Sequence, residues 1–289
     1  MSFRTKCPTQ EISLSTGKHT YCELGSGKRT LLLLHGFSFR PGLYPLALHL
    51  KEHFHVVMPD LPFTGKDHRF REHSLPQYVD FLLELVDTLA LENVSIFGNS
   101  LGGTLALMCD IAAPQRFDSL ILRSPLWSAA QLPWYLRIKP LVTAHVYLSM
   151  NRFYALRVLE LFYKISARVS PVNGAEPQNI IPYDVDSISP RVLSKFLGKL
   201  LQVELEPSLP QVGAKSLIVW GEEDTFIPSQ WGAALQGMLP NAHFLEMAGE
   251  YHNIATIDVD KLVDEIVAFI LSPLTRRRKR EHTSGKIAL

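Results

Sequence analysis

The chain has 289 residues, of which 46% are hydrophobic and 20% charged, and its formal net charge is +1. That length buries a sizeable core, as one large domain or as one domain with an insertion, and the composition excludes a disordered chain. A balanced charge gives no overall field toward nucleic acid or membrane, so an electrostatic partner would have to be found by a local cluster.

The first residues, MSFRTKCPTQEISL, contain no apolar stretch ahead of a small-residue cleavage site. No apolar run reaches the roughly 18 residues of a membrane span. A soluble, cytoplasmic protein is expected. Cys7, Cys22 and Cys109 lack CxxC spacing, so neither a disulfide framework nor a zinc site is expected, and Cys109 in LALMCDIAA reads as a buried free thiol.

Residues 11–30, EISLSTGKHTYCELGSGKRT, read as a hairpin with a glycine turn. Apolar runs bounded by turn residues then recur as RTLLLLHG, HFHVVMPD, NVSIFGNS, FDSLILRS, KSLIVWGEED and AHFLEMAG, each the pattern of a buried strand. Helical spacing lies between them in SLPQYVDFLLELVDTLALE, opened by Ser74 as N-cap, and near the end in IDVDKLVDEIVAFIL. Strands alternating with helices predict a parallel sheet covered on both faces.

The alternation breaks between residues 127 and 208, where a strand-poor block is punctuated by prolines at 133, 140, 171, 177, 182 and 190. The chain therefore divides into a first core part (1–126), a helical cap (127–208), a second core part (209–273) and a basic flexible tail (274–289). In the cap, Arg137, Lys139, Arg152, Arg157, Lys164 and Arg168 interleave with aromatic residues. The plainer reading is an amphipathic lid whose long cations snorkel outward; the sharper one is a rim that admits an amphiphilic or anionic substrate, or touches a membrane surface. The tail's RRRKR reads first as a solvated charge run, with contact to anionic lipid or nucleic acid, or a nuclear import signal, as its alternatives.

The chemistry concentrates in SIFGNSLGGTLALM, residues 95–108. An apolar strand runs into Ser100 and straight on into a helix, with Gly98 and Gly102 flanking the serine at two residues on either side. A turn this tight strains the serine backbone and demands nearly side-chain-free neighbours, and it projects the hydroxyl above the sheet. The Leu101 amide then lies at a helix N-terminus, able to donate to a developing oxyanion. A serine nucleophile needs a base, and the base needs an acid. Asp224 in GEEDTFIP and His252 in GEYHN each follow the carboxyl end of a predicted strand, the ligand-facing edge of such sheets. Glu222 and Glu223 are rival acids that read as solvent-facing turn residues, and His35 reads as a shaper of its own loop.

With these landmarks in order, the chain resembles the α/β-hydrolase superfamily with a helical cap, from about residue 10 to residue 272. LLLLHGF resembles the family's His-Gly segment, VVMPDLPFTGKD its Asp-x-x-Gly-x-Gly loop, GNSLGG the nucleophile elbow, GEEDTFIP the acid loop and GEYHN the histidine loop. Phe63 stands where the first loop glycine is usual, and Tyr251 where a glycine commonly precedes the histidine. The resemblance implies an α/β fold with a mostly parallel sheet, and acyl transfer to water by Ser100, His252 and Asp224. It also implies an oxyanion hole from the Phe37 and Leu101 amides, with Phe37, Trp127 and Phe226 lining an apolar pocket. A carboxylesterase or lipase (EC 3.1.1) acting on a small apolar or amphiphilic acyl substrate is expected. Three other readings stay open on the same fold: a ring-fission carbon–carbon hydrolase, against which Asn253 counts because a tryptophan often follows the histidine there; an acyltransferase; and a non-catalytic receptor or scaffold. No phosphate loop, dinucleotide fingerprint or metal-ligand cluster occurs, so no cofactor, no metal and no nucleic acid are expected.

Overall fold

The structure, a computed structural model, describes residues 8–36, 40–62, 73–132, 198–252, 254 and 258–272. The expected cap between residues 133 and 197, the basic tail, and Phe37, Phe63 and Asn253 lie outside these residues.

Eight strands form one sheet: β1 (Thr9–Leu14), β2 (Gly17–Leu24), β3 (Thr30–Leu34), β4 (His55–Pro59), β5 (Val94–Asn99), β6 (Ser119–Arg123), β7 (Lys215–Gly221) and β8 (Ala242–Met247). Their order across the sheet is β1-β2-β4-β3-β5-β6-β7-β8. The predicted hairpin is β1 and β2; β1 pairs with β2, and β2 with β4, antiparallel, whereas every pairing from β4 to β8 is parallel. Among the described residues the α-helices are α1 (Tyr44–Leu50), α2 (Leu75–Thr88), α3 (Leu101–Ala112), α4 (Gln230–Met238) and α5 (Val259–Leu271).

The central strands are continuous apolar runs because both of their faces are buried, and successive side chains supply opposite faces. Leu32, Leu34, Val57, Ile96, Leu120, Leu122, Ile218 and Trp220 join the core beneath α2, α3 and α4. Their neighbours Leu31, Leu33, Val56, Met58, Phe97, Ile121, Leu217 and Val219 join the core beneath α1 and α5. Ser74 caps α2 as predicted, in a reciprocal capping box with Gln77. Asp258 caps α5 through the Lys261 amide at 3.1 Å.

The expectation of no disulfide is corrected. Cys22, buried in β2, is disulfide-bonded, while Cys109 is free and buried as predicted. The absence of CxxC spacing argues against a redox or zinc motif but not against pairing of cysteines brought together by the fold. Among the described residues, no helix is long and apolar enough to cross a membrane.

The two ends of the expected cap meet. Ser128 and Glu204 form an isolated antiparallel bridge, the Ala129 amide donates to the Val203 carbonyl at 2.7 Å, and the Leu205 amide to the Trp127 carbonyl at 2.8 Å. Ser128 Oγ adds a hydrogen bond to Glu204 Oε2 at 2.9 Å.

Candidate active site

Parallel pairing puts the carboxyl ends of β5 to β8 on one edge of the sheet, and the loops leaving them carry the predicted residues. Between β5 and α3, Ser100 takes φ 52° and ψ −113°, a conformation that costs a non-glycine residue about 1–3 kcal/mol. Packing holds it there. A Cβ on Gly98 would overlap the Gly102 carbonyl, and one on Gly102 would overlap the Leu34 carbonyl of β3 and come within 2.9 Å of the Leu34 side chain. The flanking glycines therefore let the first turn of α3 lie directly against β3 and β5. The Ser100 amide is anchored on the Arg123 carbonyl of β6 at 2.8 Å, and its Oγ caps no helical amide.

That hydroxyl faces His252, with Nε2 at 3.3 Å. The opposite ring nitrogen, Nδ1, lies 2.7 Å from Asp224 Oδ2. Asp224 is 3% exposed, whereas Glu222 and Glu223 beside it are exposed, so the rival acids face solvent. Oδ1 of Asp224 accepts from the amides of Phe226 at 3.0 Å and Ile227 at 2.8 Å. Burial pushes the Asp224 carboxyl up, but His252, the Ile227 amide and Arg123 together hold it below the ordinary carboxylate range. An ionised Asp224 accepts only, so Nδ1 carries the ring proton and Nε2 is left to accept from Ser100. The Phe226 and His252 rings pack against each other at a steep angle, with centroids 5.1 Å apart.

Leu101 opens α3, where a first-turn amide has no acceptor within the helix. Gly36 packs against the elbow, its missing Cβ position 3.2 Å from Ser100 Cβ, which brings the chain before Phe37 alongside the serine. His35 fixes that turn as expected: its Nε2 accepts from the Leu61 amide at 3.0 Å, so Nδ1 carries the proton and donates to the Gly36 carbonyl at 2.7 Å. Trp127 is buried at 1% exposure, its ring edge-on to Trp231 at 5.6 Å, in the segment that joins the base of the expected cap. Among the described residues, no group of three or more His, Cys, Asp and Glu side chains is placed to hold a metal ion.

Sequence reasoning missed Arg123 and Asn99. Arg123 is fully buried at the end of β6 and donates from Nη1 to Asn99 Oδ1 at 3.0 Å and to the His252 carbonyl at 2.6 Å, and from Nη2 to the Tyr251 carbonyl at 2.6 Å. Burial pulls its pKa down to about 10, against the opposing pull of Asp224 and Glu250. A charged residue ending an otherwise apolar central strand was the signal available in LILRSP, because such a side chain is buried only when paired.

The chain is similar to known proteins over most of its length. The chain is 27% identical over 255 residues to the pimeloyl-[acyl-carrier protein] methyl ester esterase of Serratia marcescens, covering 86% of this chain and 96% of that one. It is 26% identical over 251 residues to the 2-hydroxy-6-oxononadienedioate/2-hydroxy-6-oxononatrienedioate hydrolase 2 of Pseudomonas putida, with 77% and 80% coverage. In structure it is similar to an esterase from Exiguobacterium antarcticum, with a TM-score of 0.73 at 17% identity over 91% of this chain and 99% of that one. The model of the alpha/beta hydrolase family matches residues 31–265, and the chain belongs to that family.

Proposed function

We propose that the chain is a serine hydrolase that cleaves an ester-type acyl substrate through an acyl-enzyme. The observation that carries this reading is the unbroken relay from Ser100 Oγ to His252 Nε2 and from His252 Nδ1 to Asp224. In the first step Ser100 Oγ bonds to the substrate carbonyl carbon, and its proton passes to His252 Nε2. The bond to the leaving alcohol breaks as His252 returns that proton to the alcohol oxygen. Asp224 stabilises the imidazolium formed in between, and the Leu101 amide, with that of Phe37, receives the oxyanion. Water deprotonated by His252 then attacks the acyl carbon, and His252 passes that proton to Ser100 Oγ as the acyl–oxygen bond breaks, releasing the acid. A small acyl substrate needs no cofactor in this scheme.

One observation favours a second reading, the cleavage of a carbon–carbon bond beside a ketone: the relative from Pseudomonas putida is named for a dienedioate hydrolase. An acyl panel that includes a vinylogous diketone acid separates the two. As for location, a disulfide at Cys22 fits an oxidising compartment better than the cytoplasm.

Labelling with a fluorophosphonate probe, read by intact mass and peptide mapping, tests the nucleophile. Modification at Ser100 alone, lost in Ser100→Ala and in His252→Ala, is the expected result. A folded wild type that leaves Ser100 unmodified while binding small acyl esters tightly would replace the hydrolase reading with that of a receptor.

A further inference from the structure

Arg123 touches both halves of the proposed relay. Its backbone carbonyl holds the Ser100 amide at 2.8 Å, and its guanidinium holds the His252 carbonyl at 2.6 Å. The same guanidinium reaches the Tyr251 carbonyl and the side chain of Asn99, the residue just before the serine. Nucleophile and base are 152 residues apart in sequence and leave different strands, and within the described residues this side chain bonds directly to both loops.

A buried guanidinium is expensive to desolvate, and a hydrophobic residue of similar volume usually serves stability as well or better. What an arginine supplies here is geometry, a rigid planar fork that meets several acceptors at fixed angles. Two adjacent carbonyls of the histidine loop and one amide oxygen of the elbow are such acceptors. The Ser100 to His252 contact, at 3.3 Å, is at the long end of hydrogen-bonding distance, so a small displacement of either loop would break it. The cation also lies close enough to Asp224 to favour its ionised form, which fixes the His252 tautomer.

We propose that Arg123 is a positioning residue for the hydrolytic reaction, clamping the histidine loop onto the nucleophile elbow so that His252 Nε2 stays within reach of Ser100 Oγ. This inference rests on the serine hydrolase reading. It assigns Arg123 no contact with substrate.

The test uses Arg123→Met, of similar length but uncharged, and Arg123→Lys, which keeps the buried cation and loses the fork. Each is assayed with a p-nitrophenyl ester well below its own melting temperature, and the His252 Nδ1 proton is followed by its low-field proton NMR signal, identified by its loss in His252→Asn. In both variants kcat is expected to fall, by about 10²-fold in Arg123→Met, as for a small misplacement of reacting groups, while KM changes little. The NMR signal broadens or moves upfield in the same variants. A residue that serves stability alone would lower the melting temperature and leave both readouts as in wild type, and that outcome overturns the proposal. If Arg123→Met does not fold, Arg123→Lys decides by the same two readouts. If wild type hydrolyses no ester, the ester reading falls, and the NMR signal alone decides whether Arg123 positions the histidine.

Discussion

Alanine in place of glycine should act in opposite directions at two helical sites. In an exposed helix interior, alanine is favoured over glycine by about 1 kcal/mol, through backbone entropy in the unfolded chain and intrinsic propensity. Gly237, the next-to-last residue of α4, is exposed, with nothing within 4 Å of the position a Cβ would take, so Gly237→Ala meets no obstacle and receives part of that gain, about 0.5 kcal/mol. At about 2–4 °C per kcal/mol for a domain approaching this size, the melting temperature rises by about 1–2 °C. Gly102, the second residue of α3, has at most a similar end-of-helix gain available, but its Cβ would overlap the backbone carbonyl of Leu34 in the middle of the sheet. Overpacking costs about 1–3 kcal/mol, toward the upper end where the obstacle is backbone and cannot turn aside. The net expectation for Gly102→Ala is a loss of about 2 kcal/mol after the propensity gain, and a fall in melting temperature of about 4–8 °C. Because α3 must lift from β3 to relieve the overlap, Ser100 moves with it and ester turnover drops as well. Calorimetry of the two variants beside wild type, with kcat from an ester assay, measures both effects. Equal stabilisation at the two sites would refute the claim that close approach, rather than helix chemistry, places glycine at 102.

Ser100→Gly should melt at a higher temperature than Ser100→Ala, because φ 52° is open to glycine at little cost while alanine keeps the strain; equal melting temperatures would mean that the elbow stores no such strain. Asp224→Asn should lower kcat by about 10⁴-fold with the fold intact, since an amide no longer selects the tautomer that leaves Nε2 free to accept. The same variant has a pH signature. The Asp224 carboxyl is held below the ordinary range, so its stabilisation is fully present above that range and disappears as pH falls through the folded-state value. Unfolding free energies of wild type and Asp224→Asn should therefore differ by a constant amount near neutrality and converge on acidification, and a gap that widens toward acid would reverse the assigned sign.

The sequence is legible where one position answers to one local demand. The parallel strands were visible because burial on both faces leaves uninterrupted runs such as TLLLL and SLILR. Ser100 stood out because its two flanking glycines serve the close approach of neighbouring backbone. Two helices escaped notice for physical reasons. Helix α1 is seven residues long, too short for a helical period to register, and α4 carries two glycines and begins at a Ser229 whose side chain caps nothing. Arg123 could be flagged as an oddity but not understood, since its acceptors on the histidine loop lie 128 and 129 residues further on. The pairing of Cys22 was hidden for the same reason, because proximity of cysteines is decided by the fold rather than by their spacing.

The bridge between Ser128 and Glu204 has a consequence for how this molecule could diversify. Because the chain leaves the sheet and returns to it at adjacent points, the core meets whatever lies between residues 132 and 198 as if it were a short loop. Lengthening such a connection costs little in closure entropy, about 0.6 kcal/mol per doubling. Descendants of one gene could thus exchange that segment wholesale and acquire new substrates without retuning Ser100, Asp224 or His252. In the laboratory the same junction is the natural seam for chimeras, joined at Ser128 and Glu204 so that the paired amides of Ala129 and Leu205 are kept.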